Sequence, residues 1–229
     1  MKRLVLFDID ETMISSDGAG RRAIGKALAK RFGGDIDTIK VSMSGKTDPQ
    51  ILTEILRTCN MDDAEIESSI DEILEIYLTL LQAEIDRSSA YIIHNGIPEL
   101  LDLLHAEEAF CLGLLTGNIE KGARMKLNRF DLNRFFPIGA YGCDSANRMD
   151  LPKIARDRGS LHFNFDFEPQ EVTIIGDSIY DVLCAKGYGA KSIAVNTGST
   201  ARDLLEEQDP DYLFEDLGDI EAVVEAILS

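Results

Sequence analysis

Hydrophobic positions along the chain change their period between three regions. Leu4-Val5-Leu6-Phe7 is an unbroken apolar run, and a run this short, β-branched at Val5, predicts a strand buried on both faces, as in a parallel sheet. From residue 21 to 87 the period is helical. Ala23, Ile24, Ala27, Leu28 and Phe32 recur at helical spacing until Gly33-Gly34 ends the run. Pro49 opens a second helix with Ile51, Leu52, Ile55 and Leu56 on one face. A third spans 63–87, its stripe made by Ile66, Ile70, Ile73, Leu74, Tyr77, Leu78 and Leu81. No strand pattern interrupts this block, and the polar, glycine-bearing residues 13–20 before it read as a loop or hairpin.

After Ile92-Ile93-His94-Asn95-Gly96 helices and strands alternate. The pattern predicts helices at 97–106, 119–130, 151–158, 181–186, 202–207 and 220–228. Strands are expected at 110–115, 138–141, 172–175 and 192–195, with an edge strand at 212–214. Such alternation predicts an α/β fold, a doubly wound, Rossmann-like parallel sheet with helices on both faces. The expected organisation is a core of residues 1–15 and 91–229, interrupted by an all-helical insertion at 16–90.

Composition narrows the function classes. The chain has 229 residues, 45% of them hydrophobic, enough for one large domain or a core with a smaller insertion. A net charge of −18 argues against nucleic-acid or anionic-membrane binding through a broad basic face. No apolar run approaches the ~18 residues of a membrane span, and Met1-Lys2-Arg3 leads into a strand rather than a signal peptide. Cys59, Cys111, Cys143 and Cys184 are scattered without a C-x-x-C pair, so buried free thiols in the cytoplasm are expected.

The chemistry gathers at strand ends, where open parallel sheets bind ligands. The first strand ends in Asp8 and Asp10, with Thr12 beyond them. Two acids one residue apart call for a divalent cation, which offsets their repulsion and holds them ionised. Thr116-Gly117-Asn118 joins a strand to a helix, so a hydroxyl, a glycine N–H and a helix N-terminus converge there as an anion site. Gly176-Asp177 ends another buried strand, and Asp181 lies about one turn further on. Four carboxylates together need cations, and the 145–153 stretch offers Arg148 and Lys153.

In this order the segments resemble the haloacid dehalogenase-type hydrolases. Asp8-Ile9-Asp10-Glu11-Thr12 is similar to the family's first motif, Thr116 to its second and Gly176-Asp177 with Asp181 to its fourth. The third motif is normally a lysine before a helix; Arg148 stands nearest that place. Glu11 occupies a position that is usually glycine. The block at 16–90 falls where one subgroup inserts a helical cap.

The resemblance implies an enzyme that hydrolyses a small phosphorylated metabolite with Mg2+, most like the phosphoglycolate phosphatases. Asp8 would be the nucleophile, forming an aspartyl-phosphate, and Asp10 the general acid and base. Magnesium would be held by Asp8, the Asp10 main-chain carbonyl and Asp177. Thr116, backbone N–H groups and Arg148 would bind the phosphoryl oxygens, and Asp181 would orient Arg148 or a metal-bound water. Thr12, Gly117 and Asn118 are expected beside the substrate. Lys46, in the Ser44-Gly45-Lys46-Thr47 loop of the insertion, is expected to select substrates with an anionic leaving group. Two other readings stand beside this one: a phosphomutase with the same motifs, and a phosphoacceptor of the receiver type that does not turn over.

Overall fold

The computed structural model describes residues 2–34 and 41–229; residues 35–40, within the expected insertion, lie outside them. The chain runs through β1 (Arg3–Phe7), β2 (Ile14–Ser15), α1 (Ala19–Phe32), α2 (Asp48–Thr58), α3 (Asp63–Arg87) and β3 (Ile92–Ile93). It continues through α4 (Ile97–Ala106), β4 (Phe110–Leu115), α5 (Glu120–Asn128), β5 (Ile138–Ala140) and α6 (Leu151–Phe163). The last elements are β6 (Val172–Gly176), α7 (Ile179–Tyr188), β7 (Lys191–Val195), α8 (Arg202–Glu206), β8 (Tyr212–Phe214) and α9 (Ile220–Leu228).

Six strands form one sheet in the order β5-β4-β1-β6-β7-β8, every pairing parallel. β1 lies inside it, and its side chains alternate between two cores. Leu4 and Leu6 pack with Cys111, Ile174, Ala155 and Ala185 on one face. Val5 and Phe7 pack with Leu112, Leu114, Leu101 and Ile227 on the other, a cluster that continues into the helical insertion. Both faces are thus buried, which is why the strand reads as continuously apolar instead of alternating.

The chain leaves and re-enters the sheet layer through a ribbon, because Ile14 and Ser15 pair antiparallel with Ile93 and Ile92. Between these crossings α1 and α2 pack on α3, burying Leu28, Leu52, Ile55, Ile73, Tyr77 and Leu81. Local signals set the helix starts. Thr47 caps α2 by accepting the Gln50 N–H at 3.3 Å, and Asp62 with Glu65 forms a capping box on α3. α3 has 25 residues, but no helix among the described residues is long and apolar enough to cross a membrane.

Two expectations need correction. α6 does not stop at Arg158 but runs to Phe163, and Asn164 in a left-handed conformation closes it. Gly159 lies against Leu4, where a Cβ would stand 3.0 Å from the leucine side chain, so close packing on β1 outweighs glycine's poor helix propensity. Nor are all four thiols buried: Cys111 and Cys184 are, but Cys59, just past the end of α2, and Cys143, in the turn after β5, are exposed.

Candidate active site

Register places the acids. Phe7 pairs with Leu114 on one side and Ile175 on the other, so the residues just past all three strands emerge at one edge of the sheet. Asp8 extends the ladder by donating its N–H to the Ile175 carbonyl at 2.9 Å, and the Thr116 N–H does the same toward Ala140 at 3.0 Å. β1 lies where the chain crosses from the β4 side of the sheet to the β6 side, the switch point at which open α/β sheets form their crevice.

Asp8, Asp177 and Asp181 are all buried and can each present one oxygen within 4.8 Å of the others. Missing side chains make the room. A Cβ on Gly176 would lie 2.1 Å from Asp181 Cγ, and one on Gly198 would lie 1.8 Å from Asp177 Oδ2. Ser178 donates to Asp181 Oδ2 from its N–H at 3.0 Å and from Oγ at 2.6 Å. Thr12 Oγ1 donates to Asp177 Oδ1 at 3.1 Å. Thr12 therefore stands behind a carboxylate, and it is not among the residues that line the cavity.

Arg148, in the short 3₁₀ turn before α6, sits among these acids with its side chain 4% exposed. Its Nη2 is 3.2 Å from Asp8 Oδ1 and is ion-paired with Asp181 Oδ1, while its Nε has no partner among the described residues. Lys153 lies on the outside of α6, its side chain 70% exposed and paired with Asp157 at 2.6 Å. One guanidinium does not balance three acids. Burial pushes Asp8 up to about 7 against the pull of Arg148, with Asp181 and Asp10 adding to the rise. Burial, then Asp181 and Asp8, push Asp177 well above the usual carboxylate range. Three buried carboxylate donors carrying this excess negative charge fit a hard divalent cation such as Mg2+.

The Asp10 carboxylate points elsewhere. Its two oxygens accept from Lys126 Nζ at 2.8 and 2.6 Å, one of them also from Asn118 Nδ2 at 2.7 Å. Burial alone would raise this acid, but the charge of Lys126 and the hydrogen bonds from Lys126, Asn118 and Ser16 outweigh it and hold Asp10 below its ordinary value. Asn118 also donates to Thr116 Oγ1, from Nδ2 at 2.8 Å and from its N–H at 3.3 Å. Lys126 is the site residue that reading the sequence missed. The signal was available: on α5 the apolar residues Ala123 and Leu127 flank it on the buried face, where a lysine is out of place unless paired.

The insertion supplies the opposite wall. Its 44–48 loop reaches the core so closely that a Cβ on Gly117 would lie 2.0 Å from the Lys46 carbonyl oxygen. Asp48 N–H donates to the Gly117 carbonyl at 2.8 Å, and its carboxylate accepts the Ile119 N–H at 2.8 Å. Thr47 Oγ1 donates to the Ala146 carbonyl at 2.8 Å. Between the two walls lies a cavity of about 230 Å³, which Thr116, Gly117, Asn118, Lys126, Lys46 and Tyr77 line together with Asp8 and Arg148. Lys46 faces it with its ammonium ion-paired to Glu54.

Comparison with known proteins bears on this geometry. A family model described as haloacid dehalogenase-like hydrolase matches residues 5–195. A phosphoglycolate phosphatase of Pseudomonas fluorescens (strain Pf0-1) is 24% identical over 226 residues, covering 95% of this chain and 78% of that protein. A pyrophosphatase, PpaX, of Anoxybacillus flavithermus is 25% identical over 156 residues, 68% of this chain and 69% of its own. The crystal structure of a hydrolase from Pseudomonas syringae superposes with a TM-score of 0.72 at 21% identity, covering 100% of both chains.

Proposed function

The chain belongs to the haloacid dehalogenase-like hydrolase family, and from that premise we propose that it is a magnesium-dependent phosphatase of a small phosphorylated metabolite, acting through an aspartyl-phosphate on Asp8. One observation carries this reading. Asp8 stands at the tip of β1 against Arg148, Asp177 and Asp181, while Asp10, two residues on, turns its carboxylate to a different side of the same cavity. A nucleophile and a separately held acid–base group are what a two-step displacement with a protonated leaving group needs. The names of the two relatives support a phosphoryl substrate, and the cavity volume suits a small one.

In the proposed mechanism an oxygen of Asp8 attacks phosphorus, and Arg148, the Gly117 N–H and the Thr116 hydroxyl hold phosphoryl oxygens as charge spreads over them. Thr116 anchors Asn118 and so shapes the loop that presents these donors. Asp10 passes to the departing oxygen a proton that it takes up as the substrate's negative charge arrives beside it, then takes one from the water that opens the phosphoenzyme. Magnesium, held by Asp8 and Asp177 and the Asp10 carbonyl, would neutralise the clustered charge. Asp181 is engaged by Ser178 and Arg148 and would keep the guanidinium aimed at Asp8. Residues 16–90 act as a cap over a catalytic core made of 1–15 and 91–229. A cytoplasmic setting, where phosphorylated metabolites are found, completes the reading.

Phosphate release from a panel of phosphorylated metabolites, with magnesium and with a chelator, tests it. The wild type is expected to hydrolyse at least one small phosphomonoester only with the metal present. Asp8→Asn is expected to abolish that activity, because an amide does not attack phosphorus. A wild type inactive on the whole panel, or near-normal turnover by Asp8→Asn, overturns the proposal.

A further inference from the structure

Among the charged groups of the site, Lys126 has the least explanation. Its side chain is 5% exposed, and it comes from α5, outside the segments that carry the acids and Arg148. Taking an ammonium and a carboxylate out of water costs several kcal/mol per ion, so a buried pair is poor value as a device for stability. This pair is nonetheless complete. The three N–H bonds of the ammonium find three acceptors: Asp10 Oδ1 at 2.8 Å, Asp10 Oδ2 at 2.6 Å and Asn118 Oδ1 at 2.6 Å. Asn118 closes a triangle by donating to Asp10 Oδ2 at 2.7 Å, and its bond to Thr116 Oγ1 ties the triangle to the tip of β4.

Opposite walls make room for this arrangement. Gly20, on the first turn of α1, has no side chain where a Cβ would stand 3.3 Å from Lys126 Nζ. The neighbouring Tyr77 hydroxyl is fully buried on the cavity wall with no partner among the described residues, so it does not compete for Asp10. The ammonium thus serves one carboxylate and one amide, both in the cavity and both beside the phosphoryl-binding loop.

We infer that Lys126 is a positioning residue for the hydrolytic reaction: with Asn118 it fixes the Asp10 carboxylate at the place from which it meets the leaving-group oxygen. The inference rests on the proposed function. Without Lys126, Asp10 keeps Asn118 and the distant Ser16 hydroxyl, at 3.4 Å, as its partners and becomes free to rotate about its side-chain bonds. A displacement of about 1 Å in a proton-transfer group costs on the order of 100-fold in rate. The loss falls on the step in which Asp10 transfers a proton. An alkoxide departs only as that proton arrives, whereas a carboxylate leaving group departs without it. Ethyl phosphate and acetyl phosphate present these two leaving groups at nearly the same size.

The experiment compares kcat/KM, which reports steps up to P–O cleavage, for the two substrates with Lys126→Met and Lys126→Arg, in wild-type and Asp10→Asn backgrounds. Lys126→Met should lose about 100-fold on ethyl phosphate, and at least about tenfold less on acetyl phosphate. In the Asp10→Asn background it should lose at most about threefold more, since residues acting as one unit are not additive. Lys126→Arg keeps the charge but not the compact geometry, and should show the same bias between substrates to a smaller degree; it carries the test if the methionine variant does not fold. Equal losses on both substrates would show a merely structural role. An undiminished loss in the Asp10→Asn background would show direct contact with substrate, and either result overturns the inference. A wild type inactive on both phosphates sinks instead the phosphatase reading on which it rests.

Discussion

Arginine at the third-motif place changes what that position can do. A lysine presents one point of charge, but the Arg148 fork reaches Asp8 and Asp181 with one nitrogen and leaves Nε open. Arg148→Ala is therefore expected to lower kcat/KM for phosphate release by about 10²–10³, the scale of losing a charged donor at a developing oxyanion. Lys153→Ala, which removes only an exposed pair with Asp157, should stay within about threefold of wild type. The reverse ranking would move the third motif to α6. Both residues were visible in the chain. What separated them was also visible: Pro152 starts α6, and Lys153 just inside that helix is 70% exposed. Glu11 shows a gap between identity and geometry. Its φ is 60°, the left-handed region where glycine is at ease, which accounts for the glycine usually found there.

Helices and strands were legible where a single period ran unbroken. α3, α4, β4, β8 and α9 begin and end at the residues their apolar patterns predict, because capping residues and flanking turns mark the same limits. Legibility failed where packing overrode local preference. The pattern ends α6 at 158, yet the helix continues through Gly159, where the missing side chain lets it pack closely on Leu4. For α5 the pattern predicts a helix at 119–130 and gives Lys126 no role. Only the fold shows that the buried face of this helix looks into a cavity containing Asp10, so that a charge there finds a partner. The acids at the tips of β1 and β6 were found because parallel pairing makes a strand end predictable from a strand's length. Of the groups that line the cavity from the insertion, Lys46 was named from its loop but Gly20 and Asp48 were not, since nothing local specifies which of their faces meets the core.

At the scale of the whole molecule, the insertion meets the core through α3 on α5 and through residues 44–48, where it buries an acid. Burial raises Asp48 from an ordinary value of 3.8 to about 6, with Lys126 and the Ile119 N–H pulling the other way and Asp10 adding to the rise. The native state thus binds a proton at Asp48 more tightly than the unfolded chain does. Its ionisation is free of penalty below pH 3.8, and stability is lost progressively as pH rises from there to about 6, the full cost standing above that. A shift of this size corresponds to about 3 kcal/mol. Asparagine keeps an oxygen to accept the Ile119 N–H and has nothing to ionise. Asp48→Asn is therefore expected to be more stable than wild type by up to about 3 kcal/mol at pH 7, with the advantage shrinking toward zero near pH 4. Urea midpoints of both proteins at the two pH values measure this directly, and taking their difference cancels the upward shifts that Asp8 and Asp177 carry in both. A variant less stable than wild type at pH 7 would mean that the charge on Asp48, not its hydrogen bond, is what fastens the insertion to the loop that follows β4.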